Sequence, residues 1–337
     1  MKQKHNSVKR IICRSVEELR ASKEIAKRTS ILDASIVFIA KAIIQVVNRG
    51  WIKESLVVNK LLRHKHTIMQ QYFDEAFAEF VRGYEFGKTL PETDPEMGRT
   101  IWLCWWQGEE NAPELTRKCI ESIRNCAGEY EVKVINEENY KQYVEFPEWI
   151  EKKHREGIIS RTHYSDILRL SLLSAYGGLW LDATVYCVAS ELSKYLECPL
   201  WTVKRPGYGY LSVAAGRFVT GSMGCDWEHR WIFAIIRDFV LHYWKENDLL
   251  LDYLVFDYLI DMVMRNNERL AGCFEEIEPN NPNSDELLKI MGKPYDEALW
   301  NKIRKDTSLY YLTWKRQFPL EVDGVDTFYG RLLKDEL

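Results

Sequence analysis

The chain has 337 residues, 46% hydrophobic and 28% charged, with a net charge of −4. That apolar content supports a packed core and excludes a disordered, collagen-like or low-complexity protein. No apolar run approaches the roughly 20 residues that cross a bilayer, since the longest, Ser35 to Val47, is short and contains Lys41.

The basic N-terminus lacks the apolar core and small-residue cleavage site of a secretory signal. The eight cysteines form neither a CxxC pair nor a Cys/His cluster at metal spacing, which fits free thiols in a reducing cytoplasm. Residues 1–70 carry 15 Lys and Arg against 5 Asp and Glu, leaving −14 for the remainder. A basic end on an acidic body reads either as a solvated helical face or as a surface for an anionic partner. A membrane is the better specific partner, because no nucleic-acid motif accompanies the charge.

Taken in order, Ile31 to Val47 and Ser55 to Glu85 show helical spacing of apolar residues, broken near Asn48-Arg49-Gly50. Thr89 to Arg99, with two prolines and a glycine, reads as a linker, giving a helical, basic N-terminal region (1–98) and a second domain (99–337). Thr100 to Trp106 and Tyr130 to Ile135 are predicted strands, with a helix over Ala112 to Ala127 between them. Helices follow at Glu137 to Val144, Pro147 to Glu156 and Thr162 to Tyr176, the last ended by Gly177-Gly178. Leu179 to Leu181 is the next strand. This alternation predicts an α/β domain with a largely parallel sheet. Pro199 to Thr220 is strand-like with glycines at turns and bulges, Trp227 to Trp244 and Leu249 to Asn267 are helical, and Tyr310 to Trp314 forms a last strand.

The helix at 162–176 is apolar on nearly every side yet carries Asp166 and Arg169 three residues apart. At about 100° per residue, Asp166 points with Leu170 and Leu173, so it faces inward. A buried carboxylate and guanidinium persist only as a pair or around a polar cavity. The next strand runs into Asp182, and ligands of α/β sheets bind beyond the carboxyl ends of strands. Asp182 reads alone as a turn residue or a metal ligand; with Asp166 and Arg169 it reads as part of a site.

The stretch Ser165-Asp166-Ile167-Leu168-Arg169-Leu170 followed by Tyr176-Gly177-Gly178-Leu179-Trp180-Leu181-Asp182 resembles the SDxxR…GGxxxD block of glycosyltransferases with a DxD sugar-binding region. Ile101 to Leu115 (IWLCWWQGEENAPEL) and Leu312-Thr313-Trp314-Lys315 narrow the resemblance to the capsular polysaccharide synthesis branch, over about residues 98–335. The resemblance implies a GT-A fold, a Rossmann-type nucleotide-sugar-binding sheet with a helical N-terminal extension and helical C-terminal elaborations. It also implies that Asp166 and Arg169 hold hydroxyls of a donor sugar, and that Asp182 is the first DxD aspartate, a metal (Mn²⁺ or Mg²⁺), diphosphate or ribose contact. Trp106, or Trp105, would stack on a uracil, and Thr313, Trp314 and Lys315 would close over the diphosphate. Thr184 stands in place of the second DxD aspartate, and its hydroxyl brings no charge to a metal. Lys315 is the candidate to supply the missing neutralisation.

Other candidates read as structural. Asp257, Asp261 and Arg265 form a solvent stripe at four-residue steps. Asp252 is either a first-turn acid or an acceptor-side group. His163 is a hydrogen-bonded core histidine, and Trp227, Trp231 and Trp244 are core or a sugar-stacking surface. No catalytic triad or zinc motif is discernible. The expected function is a transferase that moves a sugar from a nucleotide-diphosphate donor, most simply a UDP-sugar, to a capsular polysaccharide or its polyprenyl-linked precursor, with retention. It would act in the cytoplasm, peripherally at the inner membrane face through residues 1–70. The alternative is an inactive scaffold that binds nucleotide-sugar or polymer.

Overall fold

The computed structural model describes residues 16–337 except 49, 54 and 191. The helical residues 16–28 (α1), α2 (Ile31–Asn48) and α3 (Leu56–Gly83) come first. Ser55 caps α3 by accepting the amide of Val58, satisfying one of the orphan donors of its first turn. Residues 84–94 have no regular structure, and a 3-10 turn at Pro95–Arg99 leads into strand β1 (Thr100–Cys104).

The central sheet has five strands in the order β2–β1–β3–β6–β5. β2 (Glu131–Ile135) and β3 (Gly178–Leu181) flank β1 in parallel, whereas β6 (Ser222–Cys225) pairs antiparallel with β3 and with β5 (Trp201–Thr202). The expected largely parallel sheet is therefore mixed: the half built on β1 is parallel, as the alternation requires. The other half reverses because the chain returns to β3 through turns rather than through a crossover helix. Most of the strand-like stretch 199–220 is turns. The helix expected at 137–144 is only a 3-10 turn, Tyr140–Gln142.

Side chains alternate across the sheet. Trp102 and Trp180 enter one core with α3, α6 (Arg161–Tyr176), α8 (Trp231–Glu246) and α9 (Val255–Asn266), while Ile101, Leu103, Leu179 and Leu181 enter a second core with α4 (Glu114–Cys126). The first core also takes Ala21 and Ile25 from α1 and Ala34 and Val37 from α2. The N-terminal helices thus share their apolar interior with the helices that carry the site. A third cluster joins α4 to the C-terminal helices, among them α13 (Phe328–Leu333), through Leu115, Trp300 and Phe328.

Buried polar groups tie α3 to the segment before α9. Lys65, fully buried, lies 2.8 Å from Asp252, and His66 bonds the hydroxyl of Tyr258 and the carbonyl of Tyr210 at 2.6 and 2.9 Å. Burial and the neighbouring Lys65 push His66 down to about 4, so it is neutral at pH 7. Asp252 lies outside the helix predicted from 249, which begins at Val255, and caps the preceding turn by accepting the amide of Leu254.

Candidate functional site

The geometry begins with the two glycines after α6. Gly177 and Gly178 have φ of +75° and +87°, and a Cβ on Gly178 would stand 2.3 Å from the carbonyl oxygen of Thr100. Only glycine allows α6 to end abruptly while β3 lies close to β1. The chain then turns back along the sheet, bringing the N-terminal half of α6 to the carboxyl end of β3.

There Arg169 Nη2 lies 2.9 Å from Asp182 Oδ1, and Nη1 lies 3.6 Å from Asp166 Oδ1. Asp182 Oδ1 also accepts the indole N–H of Trp180 at 2.9 Å. The Arg169 guanidinium stands 4.9 Å from the Trp180 ring and 5.7 Å from the Phe256 ring. The arginine is buried, whereas the Asp182 side chain is 44% exposed, so the aspartate is the solvent-facing member. Asp166, Arg169 and Asp182, selected from two separate elements, are in contact. Trp180 was missed although it lies two residues before Asp182 and so shares its side of the strand.

Asp257 belongs to the same electrostatic cluster. It accepts a hydrogen bond from Ser212 and interacts with Asp166 and Arg169. The expected solvent stripe on α9 does not exist: α9 packs against α3 and α8, Asp257 is partly buried, and Asp261 is fully covered by Arg217, Gln70 and Arg265. Burial, augmented by Asp182 and Asp257 against the opposing Arg169, raises Asp166 to about 7. Burial raises Asp257 to about 6, with the Ser212 hydrogen bond opposing.

A stability profile follows. Between pH 4 and 7 the folded chain binds more protons at these two carboxyls than the unfolded chain does. Their contribution to stability is therefore present at low pH and lost as pH rises through the folded values. Urea unfolding should show this downward slope, and Asp166→Asn should flatten it. An unchanged slope in that variant would show that Asp166 titrates normally.

The opposite wall is set by β4 (Val185–Cys187), which pairs with β7 (Leu309–Tyr311), while the Thr184 carbonyl accepts the amide of Leu312 at 3.0 Å. This brings the C-terminal segment beside the end of β1. Trp314, 45% exposed, meets Trp105 edge-on at 6.0 Å between ring centres. Thr313 Oγ1 accepts the Lys315 amide, and the Lys315 ammonium stands 5.9 Å from the Trp314 ring. Trp106, expected to stack on a base, lies in the interior. Its ring is buried against Tyr164 and Tyr140, at 5.1 and 5.6 Å, and its N–H donates to Ser165. The turn after β1 sends Trp106 into the core and Trp105 toward Trp314.

Gly221 closes the floor. Its carbonyl accepts the amide of Asp182, and a Cβ there would lie 2.9 Å from Asp182 Oδ2 and 3.6 Å from the Tyr311 ring. Gly221→Ala should displace the carboxylate and weaken any ligand that uses it by about tenfold, a consequence of roughly 1.4 kcal/mol of misplacement. Calorimetric titration against the nucleotide-sugars considered below checks this.

As for a metal, Asp182 Oδ1 is already occupied by Arg169 and Trp180. Among the described residues no three His, Cys, Asp or Glu side chains converge to hold an ion. This donor set does not make a cation cage. Two buried donors at the site, Arg169 Nε and Trp105 Nε1, have no hydrogen-bond partner among the described residues. They suit a ligand rich in acceptor oxygens.

The remaining candidates lie elsewhere. His163 is buried and bonded to Ser160. Trp244 is in the core. Trp227 and Trp231 are covered by Arg230 and Arg269, near the amino end of β3, away from Asp182. The seven described cysteines are free thiols.

Two curated fungal proteins are similar over short stretches that amount to about a quarter of their own lengths. They are the O-glycosyltransferase braB of Annulohypoxylon truncatum, 29% identical over 112 residues (31% of this chain, 25% of the relative), and the O-glycosyltransferase PaGT of Phomopsis amygdali, 32% identical over 107 residues (29% and 26%). No solved structure matches significantly. The family model of the capsular polysaccharide synthesis proteins matches residues 49–332, so the family's extent includes α3 as well as the region that carries the motifs. With a family model covering most of its length, the chain belongs to the capsular polysaccharide synthesis protein family.

Proposed function

We propose that the protein is a glycosyltransferase that moves a sugar from a nucleotide-diphosphate donor, with uridine diphosphate as carrier, to a capsular polysaccharide or its polyprenyl-linked precursor, with retention. The observation that carries this reading is Arg169, buried and held between Asp166 and Asp182 at the carboxyl end of β3. Sugar hydroxyls are recognised by charged hydrogen-bonding groups, and a departing diphosphate is stabilised by fixed positive charge. A GT-A arrangement is the fold reading that accompanies this function.

In this reading Asp166 and Asp182 accept bonds from donor-sugar hydroxyls, and Arg169 fixes both carboxylates and faces the diphosphate. Trp105 and Trp314 provide the aromatic wall for the base, and Lys315 brings mobile positive charge from the C-terminal segment. Thr184 replaces the second acid of DxD, so cationic side chains take the larger share of neutralising the diphosphate. No step is assigned to a metal. The expected result is that Lys315→Ala lowers turnover several-fold with EDTA present or absent; full turnover in that variant, with activity abolished by EDTA, would refute the assignment.

The reading itself is tested by thermal shift and calorimetry against a panel of nucleotides and nucleotide-sugars, with and without Mn²⁺. Ligand stabilises the fold by RT ln(1 + [L]/Kd), so moderate affinity is visible. Binding of uridine diphosphate or one of its sugars, weakened by Asp182→Ala, supports a transferase, and the configuration of the product shows whether it is retaining. Silence toward every nucleotide by the folded protein would favour the non-catalytic scaffold.

A further inference from the structure

The helix α2 is inverted with respect to solvent. Its exposed positions, Ile31, Leu32, Ser35, Phe38, Ile39 and Ala42, share one arc at three- and four-residue spacing and include no charge. Ile31 is 80% exposed, Leu32 70% and Ile39 52%. The two charges of this helix lie off the arc: Asp33 accepts from Ser30, and Lys41 bridges to Glu18 and the carbonyl of Leu251. Leu19 of α1 extends the arc, and a groove of about 490 Å³ between α1 and α2 is lined by Leu19, Ile31, Phe38 and Ile39. A soluble surface helix carries its polar face outward, so this arrangement calls for a cover.

Charge identifies the cover. Arg20, Lys23 and Arg28 are exposed on α1, with Lys23 on the groove itself, and Lys53 and Lys60 are exposed beyond the far end of α2. Glu17 is the one fully exposed acid of α1 and α2 among the described residues. Residues 1–15 add Lys2, Lys4, Lys9, Arg10 and Arg14 without any acid. No helix among the described residues is long and apolar enough to cross a membrane. An apolar arc whose one hydroxyl, Ser35, is spent on the Ile31 carbonyl, bordered by cations and too short to span, has the chemistry of an in-plane interfacial helix.

We propose that α2 docks on an anionic lipid bilayer, with Ile31, Leu32, Phe38 and Ile39 inserted at the headgroup boundary and Lys23 and its basic neighbours on the lipid phosphates. This docking stands independently of the reaction assigned above. It differs from a purely electrostatic attachment because the apolar arc, rather than the net charge of the N-terminal region, holds the protein in salt.

The test is flotation of the full chain with phosphatidylcholine vesicles, with and without phosphatidylglycerol, at low and high salt. The wild type should float with the anionic vesicles and retain part of that binding in high salt. Leu32→Glu/Ile39→Glu should lower the bound fraction by about tenfold at both salt concentrations, the expected effect of removing an inserting apolar face. Arg20→Glu/Lys23→Glu should lower it mainly at low salt. Leu32→Ser/Ile39→Ser provides the same test if the glutamates impair folding, which circular dichroism reports. Unchanged flotation of the apolar variants, or no flotation of the wild type, would overturn the proposal. A wild-type dimer made monomeric by Leu32→Glu/Ile39→Glu would overturn it in favour of a second copy. An Ile39→Cys fluorophore already shielded from a soluble quencher in the lipid-free monomer would place the cover within the chain.

Discussion

Arg169→Ala is expected to lower turnover by about two to three orders of magnitude, the effect of removing one preorganised charge-stabilising donor. One guanidinium meets two carboxylates from different elements, Asp166 on α6 and Asp182 after β3, while resting beside Trp180 and Phe256. Without it, Asp166 and Asp182 face each other unneutralised. Asp166 would then hold its proton more tightly, and both carboxylates would lose their fixed orientation. Arg169→Lys keeps the charge but has a single ammonium in place of the fork, so it should recover little of the loss. Turnover of a nucleotide-sugar and calorimetric donor affinity, measured on the same preparations, check this. A variant with near-normal turnover would remove Arg169 from the reaction and leave it a structural ion pair.

The second large effect is on stability. Lys65→Met should cost about 3–5 kcal/mol at pH 7, because it leaves the carboxylate of Asp252 buried without its cation. In the native chain burial would raise the pKa of Asp252, but Lys65 first and then Lys41 outweigh it, and the pKa ends below the ordinary carboxylate value. That contribution to stability is present above the unfolded pKa of about 3.9 and is lost as pH falls through the lower folded value. In Lys65→Met the sign reverses: burial, the largest cause, is opposed only by the remaining Lys41 and the Leu254 amide and raises Asp252, so the deficit should be largest at neutral pH and shrink toward pH 4. The double variant Lys65→Met/Asp252→Leu should recover most of the loss, since neither charge remains to be desolvated. Urea unfolding across this pH range measures all three, and a deficit independent of pH would mean that lost packing, not the orphaned carboxylate, causes it. Because α3 and the loop before α9 share this pair, loss of Lys65 should also loosen Asp257 and the floor beneath Arg169.

The two effects are separable. Arg169 borders the exposed Asp182 as well as the partly buried Asp166, so its loss should cost less stability than loss of Lys65 and act mainly on turnover. Lys65 lies in the interior, so its loss should weaken the fold first and affect turnover through the unfolded fraction and the loosened surroundings of Asp257.

Local sequence determined the elements that position the site. Gly177-Gly178 announced the end of α6, the β-branched and aromatic run at Thr100 to Trp106 announced β1, which ends two residues earlier at Cys104, and the charges in an apolar helix announced Asp166 and Arg169. Each of these signals acts over a few residues, through backbone freedom, strand propensity or the cost of burying a charge. The Trp314 segment was recognisable only as a motif; its place beside Trp105 comes from the pairing of β4 with β7, residues more than a hundred positions apart.

Tertiary structure alone decided the rest. The helical wheel of α9 gave Asp257 and Asp261 to solvent, and the packing of α3 and α8 on that helix took them back. Nothing within 255–266 could report neighbours that come from residues 56–83. The same holds for Asp252, whose partner is Lys65. Trp105 and Trp106 are adjacent and chemically identical, and only the turn after β1 decides which one is buried. Periodicity reports which residues share a face; what covers that face depends on contacts distant in the chain. That is why the helical spacing of apolar residues over Ile31 to Val47 gave α2 but not the outward direction of its apolar arc.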